Sequence, residues 1–226
     1  MKISKLVLVV CVGFMAGIAN ASSLGAGSDA SMAGKASKGS IARISSVQFD
    51  EPGIKTGEAK EFVPRTKEEE NVKKQFYSFF HYIDLGDKAN AVKYLMYPDY
   101  INWLHKQAPE YTLAEIKSMS GDVLFEMYQT TRYLKTMKGI SNVAVKMTDM
   151  KYKQKVGNNF IYAFEYAIQF KYEGQLLYSP DISLAISLDN GKSFYFLALS
   201  PDSPEILKSR FSQSVIDKVM SYYIPY

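Results

Sequence analysis

Cysteine, tryptophan and histidine are nearly missing from the 226 residues: Cys11, Trp103, and the pair His81 and His105 are all there is. Cys11 falls within the first 21 residues, a segment with the layout of a removable leader, so the remaining chain holds no thiol. That excludes a disulfide framework and thiol nucleophiles, and leaves ordinary burial to stabilise the fold. Two scattered histidines, with no His-x-His or His-Glu spacing, give no ligand set for zinc, and neither a metal nor a cofactor is expected. There is no nucleophile elbow either, so Ser-His-Asp chemistry has no starting point. Strong charge is also lacking. Beyond the leader, 25 basic residues face 23 acidic ones, which is not the footprint of a nucleic-acid binder.

Long apolar runs are confined to one place. "MKISKLVLVVCVGFMAGIANASS" has Lys2 and Lys5, an apolar stretch from Leu6 to Ile18, and the small-x-small triplet Ala19-Asn20-Ala21. The apolar part is short for a membrane span, and the three parts together read as a secretory signal peptide over 1–21. The expected localisation is therefore periplasmic or secreted, with no membrane span once the leader is cut. Residues 22–60 begin rich in Ser, Gly and Ala and continue with scattered apolar residues around Pro52-Gly53. They read as a flexible tether passing into an extended arm. Residues 61–226 read as a single domain.

Within that domain the period of the apolar residues changes once. Thr66 to Glu69 is a capping box, and Val72, Phe76, Phe79, Phe80 and Ile83 share one helical face, with Gly86 as the stop. Asp87 caps a short second helix, "YPDYINWLHKQAP" reads as a third, and a second capping box at Thr112 to Glu115 opens a longer helical stretch ending at Gly139. After Gly139 the period becomes two: Val143, Val145 and Met147; then the ring strip Phe160, Tyr162, Phe164, Tyr166, Ile168, Phe170, Tyr172; then Ile182, Leu184, Ile186, Leu188. Asn190-Gly191 signals a hairpin, "FYFLAL" a last strand, and Ser203-Pro204 a closing helical segment. The fold class is α+β, with N-terminal helices on one face of a curved antiparallel sheet of about four strands and C-terminal helices after it. Helices are expected on one side of the sheet only.

This order resembles the nuclear transport factor 2-like superfamily, whose members wrap a long bent sheet around their opening helices to form a cone. The resemblance is carried by "EENVKKQFYSFFHYI", "NFIYAFEYAIQFKYEG" and "AISLDNGKSFYFLAL" and covers about residues 66 to 200. It implies a cone-shaped domain, and a membership that runs from isomerases, dehydratases and cyclases to secretion-machine parts and binding modules. Ketosteroid isomerase, one of the enzymes, works with a tyrosine and carboxyl groups among apolar walls.

The site candidates follow from these patterns. The ring strip, about 43 Å long at strand rise, is core, with Tyr162 and Tyr166 placed to look into a pocket because buried phenols seek partners. Trp103 and His105 are expected near the pocket rim, and Asp149 and His105 are the candidate acid–base residues. Asp149 is in phase with Val143, Val145 and Met147, but Met150 and Tyr152 signal a bulge that would turn it outward. Lys151, Lys153 and Lys155 read as one face, either guarding an edge or meeting an anionic envelope component. The functional expectation is an exported, non-catalytic protein binding a small apolar ligand or an envelope partner, with a homodimer through the outer sheet face as one possibility. The alternatives are an isomerase or dehydratase using a pocket tyrosine and carboxylate, or a structural part of a secretion or envelope assembly.

Overall fold

The structure, a computed structural model, describes residues 53–223. The expected leader and the tether up to residue 52 lie outside the described residues. Among the described residues no helix is long and apolar enough to cross a membrane.

The helical half forms where the capping chemistry sits. Helix α1, Lys67–Leu85, starts with Thr66 Oγ accepting from the Glu69 N–H at 3.2 Å, and the Glu69 carboxylate returns to the Arg65 N–H at 2.7 Å. It ends at Gly86, whose φ of 75° lies in the left-handed region that favours glycine. Then come α2 (Lys88–Ala91), a 3-10 turn (Val92–Tyr94), α3 (Pro98–Gln107), α4 (Leu113–Tyr128) with a complete Thr112/Glu115 capping box, and α5 (Thr130–Thr136). Two short helices, α6 (Ser203–Leu207) and α7 (Gln213–Met220), follow the sheet.

The sheet is antiparallel and open. Strands β2 (Ile140–Val156), β3 (Asn159–Tyr172) and β4 (Gln175–Ser187) form its body. The two-residue β1 (Lys55–Thr56) pairs with Leu177 and Tyr178, while β5 (Tyr195–Ala198) pairs with Ser183 to Ile186. Both therefore lie on the same edge of β4, and the five strands are four wide. Strand β2 slips against β3 at three places, between Ser141 and Ala144, Met147 and Asp149, and Met150 and Tyr152. Each extra residue bends and twists its strand, which curves the sheet.

The ring face of β3 packs under α1. Phe76 meets Phe164 at 5.0 Å, Tyr166 at 5.5 Å and Phe196 at 5.6 Å, in each case edge to face. These are the arrangements that the ring quadrupoles favour. Because directly opposed strand residues point the same way, Ala185 and Ser183 of β4 lie on this face beside Tyr162 and Phe164. Their small side chains make room for the rings.

Ile182, Leu184 and Ile186 consequently belong to the other face, opposite Glu165, Ala163 and Ile161. They are buried too, so that face is covered where one-sided cover was expected. The chain reaches it around β5: Tyr94 stacks on Phe196 on the ring face, and Tyr97 meets Tyr195 on the opposite one. Ile206, Leu207, Phe211, Val215, Ile216 and Val219 of the closing helical segment join the same core. Arg210 and Ser209 bind the Asp99 carboxylate and tie that segment to α3.

The arm before α1 is a strap across this second face. It leaves the β4 edge at Thr56, and the Ala59 N–H bonds Gln169 Oε1 of β3 at 3.0 Å. Lys146 of β2 holds Glu58 and the Ala59 carbonyl, and the Phe62 N–H then bonds the Met147 carbonyl at 2.7 Å. The packed chain thus starts at about Lys55, and the part of the outer face around Ala167 and Gln169 is buried by the protein's own arm. No second copy is needed to bury it.

Phe76→Ala should cost about 3–5 kcal/mol, the range for a deleted core ring. Urea unfolding checks this, with Asp149→Asn as an exposed control expected to stay within about 0.5 kcal/mol of the parent.

Candidate functional site

A depression of about 230 Å³ opens at the end of the sheet nearest the start of α1. Its walls are Thr66 and Glu68 from the first turn of α1, Lys153, Gln154 and Lys155 from β2, and Phe160 and Tyr162 from β3. The bulges in β2 put these groups together. After the third slip Lys153 lies directly opposite Tyr162 and Lys155 opposite Phe160, on the ring face. Lys151 goes to the other face, where it pairs with Glu165 at 3.2 Å and Asp149 at 2.9 Å. The three lysines that alternate in the sequence are thus divided between two faces, because each one-residue slip reverses the alternation.

Tyr162 is the residue with an unfilled requirement. It is 3% exposed, and its hydroxyl has no hydrogen-bond partner among the described residues. Burial, with the Glu68 and Glu69 carboxylates nearby, pushes its pKa up to about 12, so at neutral pH the phenol keeps its proton and stays a donor. The surrounding charges are largely engaged. Lys153 Nζ is 2.7 Å from Glu69 Oε1. The Glu68 carboxylate is held below its ordinary pKa by its own backbone N–H and the Thr66 hydroxyl. Lys155 differs: its ammonium stands 5.1 Å above the Phe160 ring and has no carboxylate partner among the described residues.

A second depression of about 290 Å³ lies between α1, α5 and β2 and is lined by Tyr77, His81, Asp84, Thr131 and Lys135 among others. Its polar groups satisfy one another. Thr131 and Lys135 both reach Asp84, at 3.3 Å and 3.1 Å. The Tyr77 hydroxyl accepts from the Met147 N–H and donates to Glu61, and burial raises its pKa to about 12. This arrangement joins α1 to the sheet and the strap.

Tyr166 meets a carboxylate, but not Asp149. Its hydroxyl donates to Asp181 Oδ2 at 3.2 Å, and Asp181 Oδ1 accepts from the Ile182 N–H. The Tyr166 ring is 3% exposed and enclosed by Phe76, Phe80 and Phe164. Asp149 itself is exposed and turned to the face opposite the rings. Trp103 stacks on Tyr100 at 6.0 Å, and His105 is half-buried on the same helix. Neither lines either of these two depressions, and of the four expected ligand residues only Tyr162 lines one of them. Asp181 went unnoticed in the sequence because its row, Asp181, Ser183, Ala185, Ser187, reads as the polar side of β4, although it is the side that meets the rings.

Among the described residues no group of three or more metal-ligating side chains occurs. Compared with family models, curated proteins and solved structures, the chain matches none of them.

Glu69 sets the geometry beside the depression. Burial acts to raise its pKa, but the Lys153 ammonium and the Arg65 N–H outweigh it and leave the carboxyl below its ordinary 4.5. A carboxyl depressed in the folded state stabilises it above the unfolded pKa, and that contribution is lost as pH falls through the folded value. Glu69→Gln should therefore be less stable by about 1–3 kcal/mol at pH 7. Urea unfolding repeated at falling pH should show the difference closing below about pH 4.

Proposed function

We propose that this chain is an exported, non-catalytic binding domain whose site for a small ligand is the depression at the start of β3. Export rests on the leader-like pattern of residues 1–21. A distant relationship to the nuclear transport factor 2-like superfamily rests on the element order and on the long bent sheet packed against α1. The observation that carries the binding reading is Tyr162: a hydroxyl on a nearly fully buried ring, lining an open depression, with no protein partner. The ring is buried while the hydroxyl still meets solvent in the depression, since the only fully inaccessible unpartnered side-chain polar atom among the described residues is Ser120 Oγ, and a ligand acceptor can replace the water there. The ring edges and lysine stems give an apolar floor, and hydroxyl, amide and ammonium groups stand at the rim. Ligand sites have this general composition.

A second reading, an isomerase or dehydratase, draws on the Tyr166–Asp181 hydrogen bond. It ranks below the first because the Tyr166 hydroxyl already has a protein partner and lines neither depression. For an assembly role the strap is the relevant observation, since it occupies part of the outer face that a partner would use.

The test is native mass spectrometry of the purified protein against a mixed library of small apolar and amphipathic compounds. Bound species should appear on the wild type and disappear from Lys155→Trp, in which an indole fills the depression. Circular dichroism should be unchanged between the two. Binding that survives this substitution would place the ligand elsewhere.

A further inference from the structure

The two features that the fold leaves unused in the depression are both donors. Tyr162 offers an O–H that remains protonated, and Lys155 offers an exposed cation that stands over the Phe160 ring and has no carboxylate partner among the described residues. The two lysines beside it show the contrast: Lys153 is neutralised by Glu69, and Lys151 by Glu165 and Asp149. The one carboxylate in the wall, Glu68, stays ionised, its pKa lowered by its own backbone N–H and the Thr66 hydroxyl, and forms no salt bridge with Lys155. An acceptor that carries negative charge would meet both donors at once. The rest of the wall is ring edge and methylene, which asks for an apolar body.

We infer that the depression binds a small anionic amphiphile, a carboxylate on a short apolar body, with Lys155 pairing the charge and Tyr162 donating to one carboxylate oxygen. This inference rests on the depression being the ligand site, and it adds the sign and class of the ligand. A charge-assisted hydrogen bond is shorter and stronger than a neutral one, so the head group selects among ligands of equal length. Alcohols of the same length satisfy the phenol but not the ammonium. Amines of that length place a second cation against Lys155.

Isothermal titration calorimetry with octanoate, 1-octanol and octylamine separates these cases. Octanoate should bind the wild type at least tenfold more tightly than octanol, and octylamine should be weakest. Lys155→Gln should lower octanoate affinity about tenfold and leave octanol unchanged. Tyr162→Phe, which keeps the ring and its packing, should lower it about fivefold. Unchanged urea midpoints in both variants would show that the fold is intact. Equal binding of octanol and octanoate would overturn the anionic class while leaving an apolar site in place. Octanoate binding indifferent to both substitutions would overturn the placement of the head group. If none of the three compounds binds, the inference and the binding function assigned to the depression fall together.

Discussion

The packing of one phenylalanine against the sheet is the constraint on which the rest depends. Phe76 touches Phe164, Tyr166 and Phe196 from above while also meeting Phe80 and Tyr77 on its own helix. With those rings in place, the alternation of β3 has only one phase, since a slip of one residue would carry every ring to the opposite face. The phase of β3 then sets that of β4 and β5 through direct pairing. Small residues are required across from the large ones, and β4 supplies Ser183 and Ala185 there.

Strand β2 is where the same constraint is relaxed. Three slips in register let the outer strand follow a curved neighbour, and they reassign its side chains one by one. Asp149 and Lys151 end on the strap side, where they pair, and Lys153 and Lys155 end beside Tyr162 and Phe160. The curvature and the site thus have one cause. A straight β2 would place these lysines according to strict alternation, and Lys151 would join the other two. Bulges beside functional surfaces commonly re-aim side chains in this way.

How much of this was legible in the sequence follows from the kind of signal involved. The capping boxes at Thr66 and Thr112 and the stop at Gly86 are local chemistry, and they mark the helix ends where the structure has them. The ring strip reads as a strand because its period is two. Alternation gives the phase of a strand but not which face meets the helices, and for that reason the Ile182, Leu184, Ile186 row could not be assigned from its own letters. Its face is decided by the pairing of Ala185 with Tyr162. The strap was no more visible, because it is held by single backbone bonds such as Phe62 N–H to Met147 C=O, which leave no periodic trace. Met150 and Tyr152 did signal a bulge that turns Asp149 outward, but an apolar residue in a polar phase marks one slip and not three.

What distinguishes Tyr162 from Tyr97 and Tyr166, whose rings are at least as buried, is polar accounting rather than position. Tyr77 bonds Glu61 and Met147, Tyr97 bonds Asp99, and Tyr166 bonds Asp181. Among the described residues the only fully inaccessible side-chain polar atom without a partner is Ser120 Oγ, on a helix where a serine hydroxyl turns readily to the preceding backbone carbonyls. The Tyr162 hydroxyl is not such an atom: the residue is 3% exposed and lines an open depression, where solvent meets the hydroxyl and an acceptor from outside the chain can take the place of that water, as the proposed binding reading requires.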